Sequence, residues 1–179
     1  EVRALCEDTE HNLWVGLKDG KIRIYDKNRT ELGYFTETGT ISHTGVPLKG
    51  NTYCIFQDSK HNIWIATKGE GLVKARPQGG GHYKLTRYCH SRDDIYSLSD
   101  NNVYCVYEDV KGRIWVATFG GGINYLTHNR GGREIFVNHR NNLKGFPIDN
   151  CHKVRFVTGD HRGNIWIALS LIHISEPTR

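Results

Sequence analysis

Side chains suited to recognising a small ligand occur in the segments between the predicted strands. Saccharide recognition needs flat apolar surfaces for the face of a sugar ring, planar hydrogen-bonding groups for its hydroxyls, and arginine for a carboxylate. A positive charge would also attract an anionic ligand, such as a uronic-acid or sulfated glycan. The residues of these types are Lys18, Lys68, Arg92, Tyr96, Phe119, Arg140 and Asn141. Each could instead be solvated or, like Phe119, packed on a neighbour, so the prediction concerns the face that they share.

Carboxylates, histidines and cysteines form no pattern that predicts catalysis or metal binding. A glycosidase needs two carboxyl groups that face one glycosidic bond. The acids outside the repeated turns fall at unmatched positions: Glu31, Glu37, Asp93, Asp94 and Asp149. The ten histidines form no H-x-x-x-H pair and no Cys/His cluster, and the loop FGGGIN lacks the lysine of a phosphate-binding loop. The sequence therefore predicts no catalytic residue, no metal site and no cofactor.

A repeat of about 50 residues organises the chain that would position these side chains. The phrases DTEHNLW, DSKHNIW, DVKGRIW and DHRGNIW end on tryptophans spaced by 50, 51 and 51 residues. The structural repeat residues are Asp8, Trp14, Asp58, Trp64, Asp109, Trp115, Asp160 and Trp166. Self-similarity at such a period is typical of solenoids and propellers. The sequence is therefore an array of similar units.

Each repeat is predicted to form four short strands. In the third repeat these are NVYCVYED, RIWVAT, INYLT and REIFVNH, which are rich in β-branched and aromatic residues and bounded by Gly, Asp or Asn. Successive apolar residues such as those of IWVA suit a strand covered on both faces, as in a propeller blade. The prediction is an all-β propeller fragment of about three and a half four-stranded blades. Its units are blade 1 (1–36), blade 2 (51–88), blade 3 (102–139) and the first half of blade 4 (151–168).

The turns of the repeat have a predicted chemistry. The Asp of each phrase ends the first strand and can accept hydrogen bonds from the backbone N–H groups of the following turn. His11 and His61 stand where Gly112 and Gly163 stand in the other repeats, so these histidines are predicted to be turn residues. Each Trp should pack against the adjacent blade, with an acceptor for its indole N–H.

Loop order divides the predicted blades into two faces. Because successive loops of an antiparallel blade alternate between its ends, the loop after the second strand shares a face with the long inter-repeat loops. Those inter-repeat loops span 37–50, 89–101 and 139–150. The ligand-binding residues are predicted on this face, and the Asp turns on the other.

Charge and cysteine content add further expectations. The net charge of +5 is spread along the chain without a basic block, so no direct nucleic-acid contact is predicted. Cys54 and Cys105 both stand ten residues before their Trp, where other repeats have Ala4 and Phe156, and we expect them to be core residues. The chain starts at Glu1 and contains no Met, so we expect it to be an interior segment of a longer protein.

The segment SLSDNNVYCVYEDVKGRIWVATFGGGINYL (97–126) resembles the two-component regulator propeller repeat. The match recurs in all four repeats, with Ala66, Ala117 and Ala168 in place of the usual Gly and LKDG in place of the first Gly-rich loop. The resemblance implies a periplasmic sensor region of a hybrid two-component histidine kinase in an inner-membrane protein of Bacteroidetes type. It further implies an oligosaccharide ligand, a homodimeric receptor and control of polysaccharide-utilisation genes.

Two other functions stay open, a carbohydrate-active propeller enzyme and a protein-interaction scaffold. The repeat also breaks off after Ala168. The following residues, 169–179 (LSLIHISEPTR), resemble a translated sequencing adaptor and are predicted to be a non-native tail.

Overall fold

Four antiparallel sheets follow one another along the chain. The computed structural model describes residues 1–141 and 152–170. The first sheet contains β1 (Val2–Glu7), β2 (Leu13–Leu17), β3 (Ile22–Tyr25), β4 (Glu31–Phe35) and β5 (Ile41–Ser42). The second contains β6 (Asn51–Gln57), β7 (Ile63–Lys68), β8 (Leu72–Gly79) and β9 (His82–Tyr88). The third contains β10 (Val103–Glu108), β11 (Ile114–Thr118), β12 (Gly122–His128) and β13 (Glu134–Val137), and the fourth contains β14 (Val154–Gly159) and β15 (Ile165–Leu169). The all-β propeller fragment of about three and a half blades is confirmed.

The first strands of the sheets lie beside one another. β1 contacts β6, β6 contacts β10, and β10 contacts β14. Each sheet then continues outward in sequence order, so the first strands are the inner strands of the array. In β7, five consecutive residues from Ile63 to Thr67 are buried. Burial of consecutive residues requires cover on both faces of the sheet, which the neighbouring sheets provide.

Apolar cores lie between neighbouring sheets. The first core joins Trp14, Ile24 and Phe35 of the first sheet to Ile55 and Ile65 of the second. Comparable clusters join the second sheet to the third and the third to the fourth. Full burial of one such side chain stabilises the fold by about 1.5–3 kcal/mol. Packing between sheets therefore provides most of the apolar burial.

An Asp–Trp clasp fixes the turn between the first two strands of a sheet. One oxygen of Asp58, Oδ1, accepts the backbone N–H groups of Lys60 and Asn62 at 2.9 and 2.8 Å. The other, Oδ2, accepts the indole N–H of Trp64 at 2.8 Å. Asp8 and Asp109 bind their own turns and tryptophans in the same way, at N···O distances between 2.8 and 3.0 Å. The acceptor that each of these three buried or half-buried indoles needs is thus the Asp six residues earlier.

The clasped turns require a left-handed residue. His11 and His61 have φ values of 64° and 63°, and Gly112 and Gly163 have φ values of 72° and 84°. The prediction that the two histidines are turn residues is confirmed. Asn, Asp and His tolerate this conformation better than most side chains, which accounts for the exchange of His and Gly at this position.

The first inter-repeat segment differs from the loop predicted over 37–50. Ile41 and Ser42 form β5, which pairs with Phe35 and Tyr34 of β4. The reversal before β5 is held by Thr36, whose hydroxyl lies 2.8 Å from that of Thr40. Local side-chain hydrogen bonds of this kind stabilise a tight turn that hydrophobic patterning does not reveal.

The end of the described chain continues the fourth sheet. Leu169, the first residue of the predicted tail, pairs with Val154, and the Ser170 N–H donates to the Lys153 carbonyl at 2.9 Å. Residues 171–179 lie outside the described residues, so a non-native origin of the tail stays a prediction.

Candidate ligand-binding face

The loop after the second strand of a sheet meets the start of the next repeat. Gly69 and Gly71 donate their N–H groups to the Asn101 carbonyl at 3.1 and 3.0 Å. In the third sheet the Phe119 N–H donates to the Asn102 carbonyl at 2.8 Å, and Gly120 donates to His152 at 2.7 Å. These hydrogen bonds join the second-strand loops and the inter-repeat segments into one surface, which we call the loop face.

Lys18 and Lys68 lie on the loop face of the first two sheets. The ammonium group of Lys18 is 3.2 Å from a carboxylate oxygen of Glu1. Lys68 ends β7, is exposed, and forms a backbone bridge with Asn102 of the third repeat. Lys68 also lines an open groove together with Asp19, Lys21, Lys49 and Glu70. The groove has mixed charge, because three lysines face two acids.

The loop 89–101 is held by two of the predicted binding residues. The guanidinium of Arg140 donates to the Ser91 carbonyl at 3.0 Å and lies 3.3 Å from the Ser97 hydroxyl. Asn141 donates through its side-chain amide to the Ile95 carbonyl at 2.7 Å. Arg140 and Asn141 therefore position this loop, and a direct ligand contact by either stays a prediction.

Arg92 and Tyr96 project from the same loop into solvent. Both are exposed, and 46% of the surface of Tyr96 is accessible. The base of the loop is fixed by Asp94, which accepts the Tyr96 N–H at 2.9 Å and pairs with Arg133. The hydrogen bond from the Tyr96 backbone is the main cause that lowers the pKa of Asp94, and Arg133 acts in the same direction. Asp94 is thus an ionised anchor of an exposed aromatic tip.

Phe119 belongs to a cluster of aromatic and arginine side chains on the inner strands. Its ring stacks on Tyr104, with centroids 5.1 Å apart, and Tyr104 lies 4.4 Å from the ring of Tyr53. Arg3 donates to the Tyr53 hydroxyl at 2.8 Å, and the guanidinium of Arg155 is 4.9 Å from the centre of the Phe119 ring. We call Arg3, Tyr53, Tyr104, Phe119 and Arg155 the inner-strand cluster.

The sequence interpretation missed four members of the inner-strand cluster. Arg3, Tyr53, Tyr104 and Arg155 each stand eleven residues before the Trp of their repeat, so the repeat register could have found them. In every sheet the pairing register shifts across this residue, as between Val103 and Cys105 around Tyr104. Such a bulge re-aims one side chain without interrupting the strand.

The cluster places the phenol of Tyr104 beside permanently charged arginines. Burial raises the pKa of Tyr104, and the nearby Tyr53 adds to the increase, while Arg155 and Arg3 oppose it. The phenol therefore stays protonated at neutral pH. Arginine stays protonated as well. The cluster can donate hydrogen bonds and attract an anion, but it holds no general base.

Three of the unmatched acids, Glu31, Glu37 and Asp94, are engaged in ion pairs. Glu31 lies 3.1 Å from Arg23, and Glu37 lies 3.3 Å from Arg87. Asp149 falls outside the described residues. In the described part of the chain, no group of three or more His, Cys, Asp or Glu side chains could hold a metal ion. Within the same residues, no helix is long and apolar enough to cross a membrane.

Comparison with known proteins identifies the repeat. Residues 47–69 and 97–120 match the family model described as Two component regulator propeller. Histidine kinase P4 of Formosa agariphila is 30% identical over 71 residues, which are 40% of this chain and 5% of that protein. The solved extracellular domain assigned to a hybrid two component system of B. thetaiotaomicron is 26% identical with a TM-score of 0.63, and the match covers 93% of this chain and 20% of that one.

Propellers with other activities share the fold. Virginiamycin B lyase of Staphylococcus aureus is 14% identical with a TM-score of 0.59, over 94% of this chain and 48% of the lyase. This likeness concerns the fold alone. The chain thus spans only a small part of the kinase and of the sensor domain that it matches. The resemblance to the two-component regulator propeller repeat is confirmed, and the fold resembles that of the extracellular domain of a hybrid two component system.

Proposed function

We propose that this chain, which carries two-component regulator propeller repeats, forms part of an oligosaccharide-sensing region. The whole protein would be a hybrid histidine kinase in the inner membrane, with the propeller in the periplasm, and would control genes for polysaccharide utilisation. Its receptor would be a homodimer. The fragment itself has no enzymatic role in this proposal.

One observation carries the proposal. The two segments that match the family model, 47–69 and 97–120, each contain an inner strand, an Asp–Trp clasp and a second strand. Those elements build the loop face and position Tyr53, Tyr104 and Phe119. The matched repeat segments therefore contain the three aromatic residues of the inner-strand cluster, which would face a ligand in this proposal.

In this proposal, contacts within and between the blades keep the loop face rigid. The Asp–Trp clasps and the cores between sheets fix the blades, and backbone hydrogen bonds join the loops of one blade to the next. A ligand that contacts two neighbouring blades favours one arrangement of them. The ligand can shift the equilibrium between two receptor arrangements only as far as its affinities for the two arrangements differ.

The test uses the natural chain that contains these repeats. The purified protein is applied to an array of neutral, carboxylated and sulfated oligosaccharides, and the hits are added to a phosphorylation assay. We expect binding of at least one saccharide and a ligand-dependent change in autophosphorylation. The absence of binding to every saccharide would overturn the proposal.

The enzyme alternative draws on the lyase that shares the fold. Incubation of the saccharide hits with the protein, followed by chromatography of the products, distinguishes this alternative. Chemical conversion of a bound saccharide would favour it over sensing. A protein captured in place of any saccharide would favour the scaffold alternative.

A further inference from the structure

The inner-strand cluster presents one kind of position four times. Arg3, Tyr53, Tyr104 and Arg155 occupy the bulge of β1, β6, β10 and β14 respectively. Each bulge lies near the start of its strand, at the end of the sheet where the second-strand loop of the third sheet brings in Phe119. The side chains of four blades therefore meet at the loop-face end of the inner strands.

Core packing alone does not explain these residue types. The next residue of each inner strand is Ala4, Cys54, Cys105 or Phe156, which are the small or apolar types expected at a blade interface. The bulge position instead holds two arginines and two tyrosines. An apolar sheet junction does not require hydrogen-bonding side chains, so the presence of guanidinium and phenol groups at this position needs another reason. Ligand recognition is such a reason, since bulges are frequent beside functional sites.

The arginines of the cluster are oriented by aromatic rings. Arg3 lies 5.1 Å from the centre of the Tyr53 ring, and Arg155 lies 5.6 Å from that of Tyr104 and 4.9 Å from that of Phe119. A guanidinium that stacks through its face keeps its N–H donors at its edge. Arg155 is exposed and makes no hydrogen bond or ion pair with another described residue. Its donors are therefore available to a planar anion.

The local charge is positive. Lys153 lies 5.6 Å from the Phe119 ring and joins the two arginines. The acid beside them is Glu1, which is 3.9 Å from Arg3 and is shared with Lys18. The Arg3 Nε atom is buried and has no hydrogen-bond partner among residues 1–141 and 152–170. An arriving carboxylate would meet cations that the described residues neutralise only in part.

We propose that the inner-strand cluster is a binding site for a saccharide that bears a carboxylate, such as a uronic acid. Arg155 binds the carboxylate through two parallel N–H donors, and Arg3 adds a second positive charge. Tyr53 and Tyr104 donate hydrogen bonds to the hydroxyls of the sugar, and Phe119 fixes the Arg155 plane. The inference rests on the proposed sensing function, because it names the site and the ligand class of that function.

The experiment is calorimetric titration of the natural chain with a tetrasaccharide of galacturonic acid. Its methyl ester, which keeps the rings and removes the negative charges, serves as the matched ligand. Loss of a hydrogen-bonded charge pair weakens binding by roughly 10- to 100-fold. We expect that loss for the methyl ester and for Arg155→Gln, and a loss of about 10-fold for Arg155→Lys, which cannot form the two parallel bonds.

Arg113→Gln is the matched control variant. Arg113 also stacks on aromatic rings, 5.2 Å from Trp115 and 6.0 Å from Tyr125, but it lies beside the Asp turn. Its affinity for the tetrasaccharide should stay within about twofold of the unsubstituted protein, since the turn is at the other end of the blade. A general loss of folding would instead lower both affinities.

Three results would overturn the inference. Equal affinity for the tetrasaccharide and its methyl ester would show that the protein does not recognise the carboxylate. Unchanged affinity in Arg155→Gln would show that the ligand does not bind at the inner-strand cluster. Binding of neutral oligosaccharides alone would refute this inference and leave the sensing function standing, whereas an array without any saccharide hit would refute both.

Discussion

Replacement of Asp58 by Ala tests how the repeated motif holds a blade together. The carboxylate of Asp58 accepts hydrogen bonds from four donor groups: the Lys60 N–H, the Asn62 N–H, the Asn62 side-chain amide and the Trp64 indole. Asp58 is 6% exposed, Asn62 is 5% exposed and Trp64 is 1% exposed. Water can therefore reach the turn more easily than it can reach the indole.

The loss of unfolding free energy in Asp58→Ala depends on which hydrogen-bond donors are left without an acceptor. An unsatisfied buried donor costs about 1–3 kcal/mol, and the Asp58→Ala variant leaves both the indole and the Asn62 amide in that state. Loss of the two turn bonds adds about 1 kcal/mol, as for a capping Asp. We expect the variant to lose about 3–7 kcal/mol of unfolding free energy.

Asp26→Ala is the control. Asp26 accepts the Asn28 and Thr30 N–H groups at 2.8 Å in a similar turn, but none of the described side chains donates to it. This variant should lose only about 1 kcal/mol. Urea titration followed by circular dichroism and tryptophan fluorescence measures both. Equal losses at the two positions would refute the role assigned to the indole bond.

Three further predictions follow from local geometry. Burial alone would raise the pKa of Asp109, but hydrogen bonds from its Trp and its turn lower this pKa below the ordinary value of 3.8. The stability that the Asp109 carboxylate contributes is therefore present above about pH 4 and is lost as the pH falls. Urea titrations below about pH 4 should show that the unfolding free energies of Asp109→Asn and the unsubstituted protein converge. A Cβ at Gly121 would lie 2.6 Å from a backbone carbon, whereas a Cβ at Gly131 would meet its nearest neighbour at 3.5 Å. Thermal unfolding should show that Gly121→Ala lowers the unfolding free energy by about 1–3 kcal/mol and Gly131→Ala by less than about 0.5 kcal/mol. The reverse order of these losses would contradict the packing. Cys89 is exposed, whereas contact with another thiol and burial raise the pKa of Cys54. Peptide-mapped alkylation at pH 8 should therefore label Cys89 before Cys54, and equal rates at the two cysteines would contradict these environments.

The repeat made most of the fold predictable. The period of the tryptophans predicted the blades, because each 50-residue unit must bury its strands against the next. The exchange of His and Gly at one turn position, as between His61 and Gly112, predicted turn residues there, and the structure adds that both are left-handed. Such local features depend on residues close in sequence. For that reason they can be inferred from one chain.

Contacts between distant residues were harder to predict. Arg140 holds carbonyls of a loop almost 50 residues earlier, and the sequence pattern does not show that its donors are occupied. The inner-strand cluster was visible only as a column of the repeat, with Arg in two repeats and Tyr in the other two. Because the members of the cluster differ in residue type, no single sequence motif identifies it. The bulge that gathers them is a property of strand pairing.

Hydrogen exchange with and without the galacturonate tetrasaccharide tests most directly that this propeller recognises a ligand through its loop face. The natural chain is labelled in both states, and the exchange of its peptides is compared by mass spectrometry. We expect slower exchange in the ligand-bound state at the starts of the inner strands, residues 2–5, 52–55, 103–106 and 154–157, and in the third Gly-rich loop, residues 119–122. The Asp turns, residues 8–12, 58–62 and 109–113, should exchange at unchanged rates. Protection confined to those turns, or no protection at all, would contradict the account.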